Sequence, residues 1–118
     1  MPSDNAAVQR GYANEFVVAA HLMRNGYEVY LAVGSTSCDM VAMTTVEAHD
    51  RLQEFPARIT IRVEVKTLGK PNGLGKYWVR ANREDFDMLV CVTQDGEVWV
   101  DPPESLVGVH PRVPSNRA

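Results

Sequence analysis

A chain of 118 residues that is 45% hydrophobic and carries a net charge of −3 has the size and composition of one soluble domain with one core. Its apolar runs fall far short of the ~20 residues a membrane helix needs, and its opening, MPSDNAAVQR, is too polar for a signal peptide. Cys38 and Cys91 stand apart without a CxxC pair, which excludes a zinc ribbon and a disulfide framework and suits a reducing, intracellular (cytoplasmic) setting.

Ser3 or Asp4 caps a helix predicted to run to about Asn25, where Gly26 stops it. Val8, Tyr12, Ala19, Leu22 and Met23 recur at threes and fours and predict its buried stripe, widened by Phe16 and Ala20. Glu15 falls on that stripe. An acid on a core-facing edge snorkels, pairs with an arginine, or serves a site.

Tyr27 to Val33 reads as a strand, and Gly34-Ser35-Thr36-Ser37 as a turn. Cys38 to Thr44 is the next strand. Asp is disfavoured in strands, so Asp39 at its start is a turn residue or a site residue. Thr45 to Ala57 extends that strand into a hairpin or holds a short helix, with Thr44 and Glu47 at capping-box spacing. Pro56 and the flanking strands favour the hairpin.

Ile59 to Thr67 (ITIRVEVKT) alternates strictly, with β-branched residues at every second place. That pattern is a strand with one face in the core. Its other face carries Glu64 and Lys66, about 7 Å apart along the strand. Charges on a central strand are paired, hydrated or bound to something. Gly69 to Lys76 (GKPNGLGK) is a loop. It is not a phosphate-binding P-loop, because the first glycine, the hydroxyl residue and the following helix are all missing.

Tyr77 to Arg80 is a short strand, and Asn82 to Asp85 a turn or single helical turn. Asp87 to Thr93 is a continuous apolar run, as in a strand covered on both faces. Gln94-Asp95-Gly96 is a hairpin turn and Glu97 to Asp101 the returning strand. The tail from about residue 104 reads as loose, so residues 1–118 form a single domain with a free end. Charge is blocked along the chain. Arg58 to Arg83 holds seven basic residues and one acid, a segment of +6 against −9 for the remainder. Blocked sign matters more to a polyanion than the sum does, although a solvated edge gives the same pattern.

Taken together, the chain carries Glu15 on its first helix, Asp39 opening the second strand, and Glu64-Val65-Lys66 on the third. This arrangement resembles the PD-(D/E)xK nuclease superfamily, in particular the archaeal Holliday-junction resolvases and small homing endonucleases, over roughly residues 5 to 101. The resemblance implies an α/β (α+β sandwich) restriction-endonuclease-like fold: an αβββαβ core with a mixed central sheet. Here the second helix is shortened to about Asn82–Phe86, and Ser37-Cys38 stands where the motif has its proline.

The resemblance implies a metal-dependent endonuclease that hydrolyses DNA phosphodiester bonds. Asp39, Glu64 and the backbone carbonyl of Val65 would ligate Mg²⁺, with Mn²⁺ able to substitute. Glu15 would bind the metal directly or through water, or hold Lys66. Lys66 would orient the attacking water or stabilise the phosphorane. A hard cation acidifies water and offsets phosphate charge, and needs only one or two carboxylates. Lys70, Lys76, Arg80 and Arg83 would contact DNA phosphates, with Tyr77 and Trp78 open to base stacking or to sheet packing. Cutting two strands with so small a domain implies a homodimer or higher homo-oligomer.

Three other accounts are available. The four charged side chains can form a buried ion-pair network, an arrangement that is costly to desolvate. The chain can be a non-catalytic module that keeps the fold to bind DNA or a protein partner, or an oligomerising protein with no nucleic-acid role. His21, His49 and His110 have no ligand spacing, and Met23, Met40, Met43 and Met88 read as core filler.

Overall fold

The computed structural model describes residues 4–32, 38–46 and 57–111. Helix α1 (Asp4–Arg24) is followed by strands β1 (Glu28–Leu31), β2 (Met40–Val46), β3 (Ala57–Thr67) and β4 (Tyr77–Arg80). A 3-10 turn (Arg83–Asp85) leads into β5 (Met88–Val92), β6 (Val98–Val100) and β7 (Val107–His110). Five strands make a main sheet in the order β1-β2-β3-β5-β6, and β4 and β7 pair as a second sheet. In the main sheet β3 and β5 run parallel and every other pair is antiparallel, so the sheet is mixed. The β2–β3 pairing is the one expected of a hairpin. Its connection, residues 47–56, lies outside the described residues, as does the Gly34–Ser37 turn.

Local chemistry explains the helix stop. Gly26 takes φ +91, a left-handed conformation that L side chains rarely adopt. Its amide donates to the Met23 carbonyl at 3.2 Å, and the Tyr27 amide to Leu22 at 3.1 Å. The last helical carbonyls are thereby satisfied in a Schellman arrangement, and Tyr27 packs on the core that contains Leu22.

The main sheet is covered on both faces. On one, Met40, Ala42, Val63, Met88, Val90 and Val92 pack with Val18, Ala19 and Leu22 of α1. On the other, Leu89 and Cys91 pack with Leu68, Phe86, and Val79 and Val107 of the small sheet. All five residues of β5 are buried, which is why that run carries no polar alternation. Burial pushes the Cys91 thiol up to about 11, so it stays protonated at neutral pH and packs as a small apolar group.

Two expectations are corrected. The helix buries only Ala19 and Leu22 of the predicted stripe, while Val8, Tyr12, Phe16 and Met23 are 51%, 58%, 60% and 54% exposed. The inward row runs through Gly11, Asn14, Glu15, Val18 and Leu22. Asn14 Nδ2 donates to Thr67 Oγ1 at 2.6 Å, and this polar contact turns the helix one position round from its most apolar face. Met23 is therefore not core filler, while Met40 and Met88 are. The chain past residue 104 is also not wholly loose, because β7 runs parallel to β4 from Val107 to His110.

Leu22 is 1% exposed and reaches the centre of the helix–sheet core. Leu22→Ala should lower stability by about 2–5 kcal/mol through lost transfer energy and a residual cavity. Urea unfolding should show a lower midpoint with an unchanged slope.

Candidate active site

The main sheet forks where β2 begins. The last paired residues are Met40 and Val63. One step further, the Asp39 amide donates to the Val63 carbonyl at 3.0 Å, and its own carbonyl accepts from Ala32 at 3.1 Å. Beyond that the Asp39 side chain takes over from the strand, its Oδ2 accepting from the Val65 amide at 2.7 Å. In an extended strand the N–H and C=O of one residue face the same edge, so the Val65 carbonyl also faces this opened edge. Asp39 thus lies in a bend, held by backbone on one side and holding backbone on the other.

Ile61, Val63 and Val65 face the helix-side core. By alternation, Arg62, Glu64 and Lys66 project from the opposite face. Lys66 Nζ lies 3.4 Å from Glu64 Oε1, and the two side chains are 25% and 14% exposed. Arg62 reaches the entry of β5. Its guanidinium grips Asp87 with two bonds of 3.1 Å and donates to the Glu84 carbonyl at 2.9 Å. The Arg62 amide also donates to Asp87, at 2.8 Å. These bonds hold the Asp87 carboxyl below the usual carboxylate range and pin β3 to the entry of β5. Sequence reasoning missed this pair, because residues 25 apart with no shared motif give no local signal.

Glu15 comes to the fork from the helix. Its carboxyl is hydrogen-bonded to Asp39 and feels the Glu64 charge. Its pKa is raised, first by burial, then by the charge of Asp39, by that hydrogen bond, and by Glu64. Burial and two neighbouring acids thus oppose ionisation of Glu15. The structure therefore brings Glu15, Asp39, Glu64 and Lys66 to one place: three acids, one amine, and a backbone carbonyl at an open edge.

The donor set can be tested against a cation. Among the described residues no three His, Cys, Asp or Glu side chains stand within ligating reach of one point. This disfavours a tetrahedral zinc site. A hard, hydrated dication asks less, since one or two carboxylates with waters suffice. Asp39 and Glu64 beside a backbone carbonyl meet that requirement.

The predicted DNA contacts separate. Lys70 is exposed in the loop after β3, and Lys76 and Arg80 lie on the outward side of β4. Arg83, on the 3-10 turn, lines a cavity together with Asp87, Asp101 and Glu104. Tyr77 turns inward and meets Trp99 edge-on, with ring centroids 5.6 Å apart, so it packs rather than stacks on a base. Trp78 is exposed. His49 lies outside the described residues.

No family model matches the sequence, and neither does any curated protein. Among solved structures, the chain is similar to a bacterial homing endonuclease, I-Ssp6803I, with a TM-score of 0.53 and 22% identity over 81% of this chain and 68% of that one. The likeness is one of fold, and it agrees with a restriction-endonuclease-like α+β arrangement of one helix on a mixed sheet among the described residues.

Proposed function

We propose that this protein is a divalent-cation-dependent endonuclease of the PD-(D/E)xK kind that hydrolyses DNA phosphodiester bonds. One observation carries the reading: Glu15, Asp39, Glu64 and Lys66 converge where β2 and β3 part. The same edge exposes a backbone carbonyl, and the fold is shared with a homing endonuclease.

Asp39, Glu64 and the Val65 carbonyl would hold Mg²⁺, or Mn²⁺ in its place, with Glu15 reaching the cation through a water. When bound, such a cation lowers the pKa of water and neutralises phosphate charge. The chain does the positioning. Asp39 is locked by the Val65 amide, so its free oxygen has a fixed direction. Lys66 is kept near Glu64, where its ammonium meets the incoming phosphate or the attacking water. Glu15, its pKa raised by burial and by Asp39 and Glu64, would hold a water at the cation or steady Lys66. Lys70, Lys76 and Arg80 would contact phosphates. Arg83, with three acids around its cavity, serves less well. Cutting both strands asks for two copies, so the working form is a homodimer, and the setting is intracellular.

The direct test is incubation of supercoiled plasmid and branched DNA with purified protein and Mg²⁺ or Mn²⁺, with nicking or linearisation expected and EDTA expected to stop it. The rival reading is a nuclease fold kept as a binding module. Calorimetry that detects no Mn²⁺ uptake would establish it.

A further inference from the structure

The small sheet presents a face that the cutting centre does not use. Tyr77 and Val79 turn toward the core with Val107 and Val109, so Lys76, Trp78, Arg80, Gly108 and His110 line the outward side. Trp78 lies opposite Gly108, and Arg80 opposite His110. A Cβ on Gly108 would stand 2.4 Å from the Trp78 ring, so only glycine leaves room for it. The His110 ring stacks on Trp78 with centroids 4.1 Å apart and planes 17° from parallel. Lys76 Nζ sits 4.4 Å from the centre of the Trp78 ring. With His110 and Lys76 on the ring, an approaching base finds little of it free, yet Trp78 remains 47% exposed.

A glycine inside a strand and a solvent-facing tryptophan both oppose stability on their own. Here they serve one end: the ring holds a lysine and a histidine in place on a flat surface. Neither β4 nor β7, nor Lys76 before β4, contributes an acid. Lys76 and Arg80 are four residues apart, about 13 Å along the strand, or about four base steps of one DNA strand at 3.4 Å each. Fixing such cations in advance removes part of the ordering entropy of binding.

We propose that this outward face of the β4–β7 sheet is a docking surface for the phosphate backbone of duplex DNA, with Trp78 as the post that positions Lys76 and His110 and with Arg80 supplying the second cation. The inference rests on the nuclease reading and deepens it: it names the surface that carries two of its phosphate contacts, the residues that build that surface, and the form of DNA it takes.

The test uses Lys66→Ala protein with Mg²⁺ and a fluorescein-labelled 30-base-pair duplex (a length of roughly three helical turns), followed by anisotropy across a salt series. Lys76→Gln with Arg80→Gln should weaken binding about 10–100-fold and flatten the log–log salt slope by about 1.8, the loss of two phosphate contacts. Trp78→Ala should weaken binding about 5-fold with a much smaller change in slope, because it removes the support and leaves the charges. Circular dichroism melts check that the variants fold. If the Gln variant binds with the parent's affinity and slope while wild type cuts plasmid, this surface is not the docking face and the nuclease reading stands. If the parent binds no DNA at any salt and wild type cuts none, both fall together.

Discussion

Lys66→Ala and Asp39→Asn should each slow plasmid cutting by at least about 10²–10³-fold, the usual cost of removing a preorganised charge from a transition state. The two variants fail for different reasons. Lys66 supplies the single ammonium in the cluster, 3.4 Å from Glu64. Without it, the ammonium that sits against Glu64 is gone, and Arg62 is engaged with Asp87. Asp39→Asn keeps an oxygen to accept from the Val65 amide but loses the charge. It should fold like the parent and still not cut. Asp39→Ala differs in stability as well. It leaves the part-buried Val65 amide without its acceptor, a loss of about 1–3 kcal/mol. A plasmid assay read beside a urea melt separates chemistry from folding. Undiminished cutting by Lys66→Ala and Asp39→Asn would trace the activity to a contaminant.

Glu15 gives the second large effect, with stability and activity moving in opposite directions. Its folded pKa lies above the ordinary carboxylate value of 4.5, so the folded state binds more protons than the unfolded state just above that pH. The stability this proton confers is complete below 4.5 and is lost as pH rises through the raised folded value. At neutral pH the cation-free protein therefore carries strain among its acids. Glu15→Gln should relieve it, so the melting temperature at pH 7 without metal should rise while cutting falls, and the stability gain should vanish toward pH 4. Divalent cation should do for wild type what the substitution does. Mn²⁺ at 100 times its Kd should add about 2.7 kcal/mol of stability, and its uptake should release a proton to buffer between pH 4.5 and the raised value. Calorimetry in two buffers of different ionisation enthalpy reads that proton directly. Uptake without proton release, or a destabilised Glu15→Gln, would show that ionisation of Glu15 is not linked to cation binding.

Much of the frame was legible in the residues alone. Strict alternation from Ile59 to Thr67 placed Glu64 and Lys66 on one face of a strand, and the unbroken run at Met88–Val92 announced a strand buried on both sides. Gly26 marked the helix end, and Gln94-Asp95-Gly96 the hairpin that joins β5 to β6. All of these are local: they depend on side-chain period or on backbone freedom at one residue.

What only the tertiary structure decided is which groups meet across the chain. The helix was expected to bury Val8, Tyr12 and Met23 along with Glu15, Ala19 and Leu22; it left the first three exposed and turned Asn14 toward the sheet beside Glu15. β7 found β4, and Gly108 made room for Trp78. Arg62 found Asp87, and Glu15 found Asp39. Each of these pairings joins residues more than twenty positions apart. Sequence period names the faces an element has, but the choice among them is set by the summed packing and hydrogen bonding of distant partners, which exist only once the chain has closed on itself.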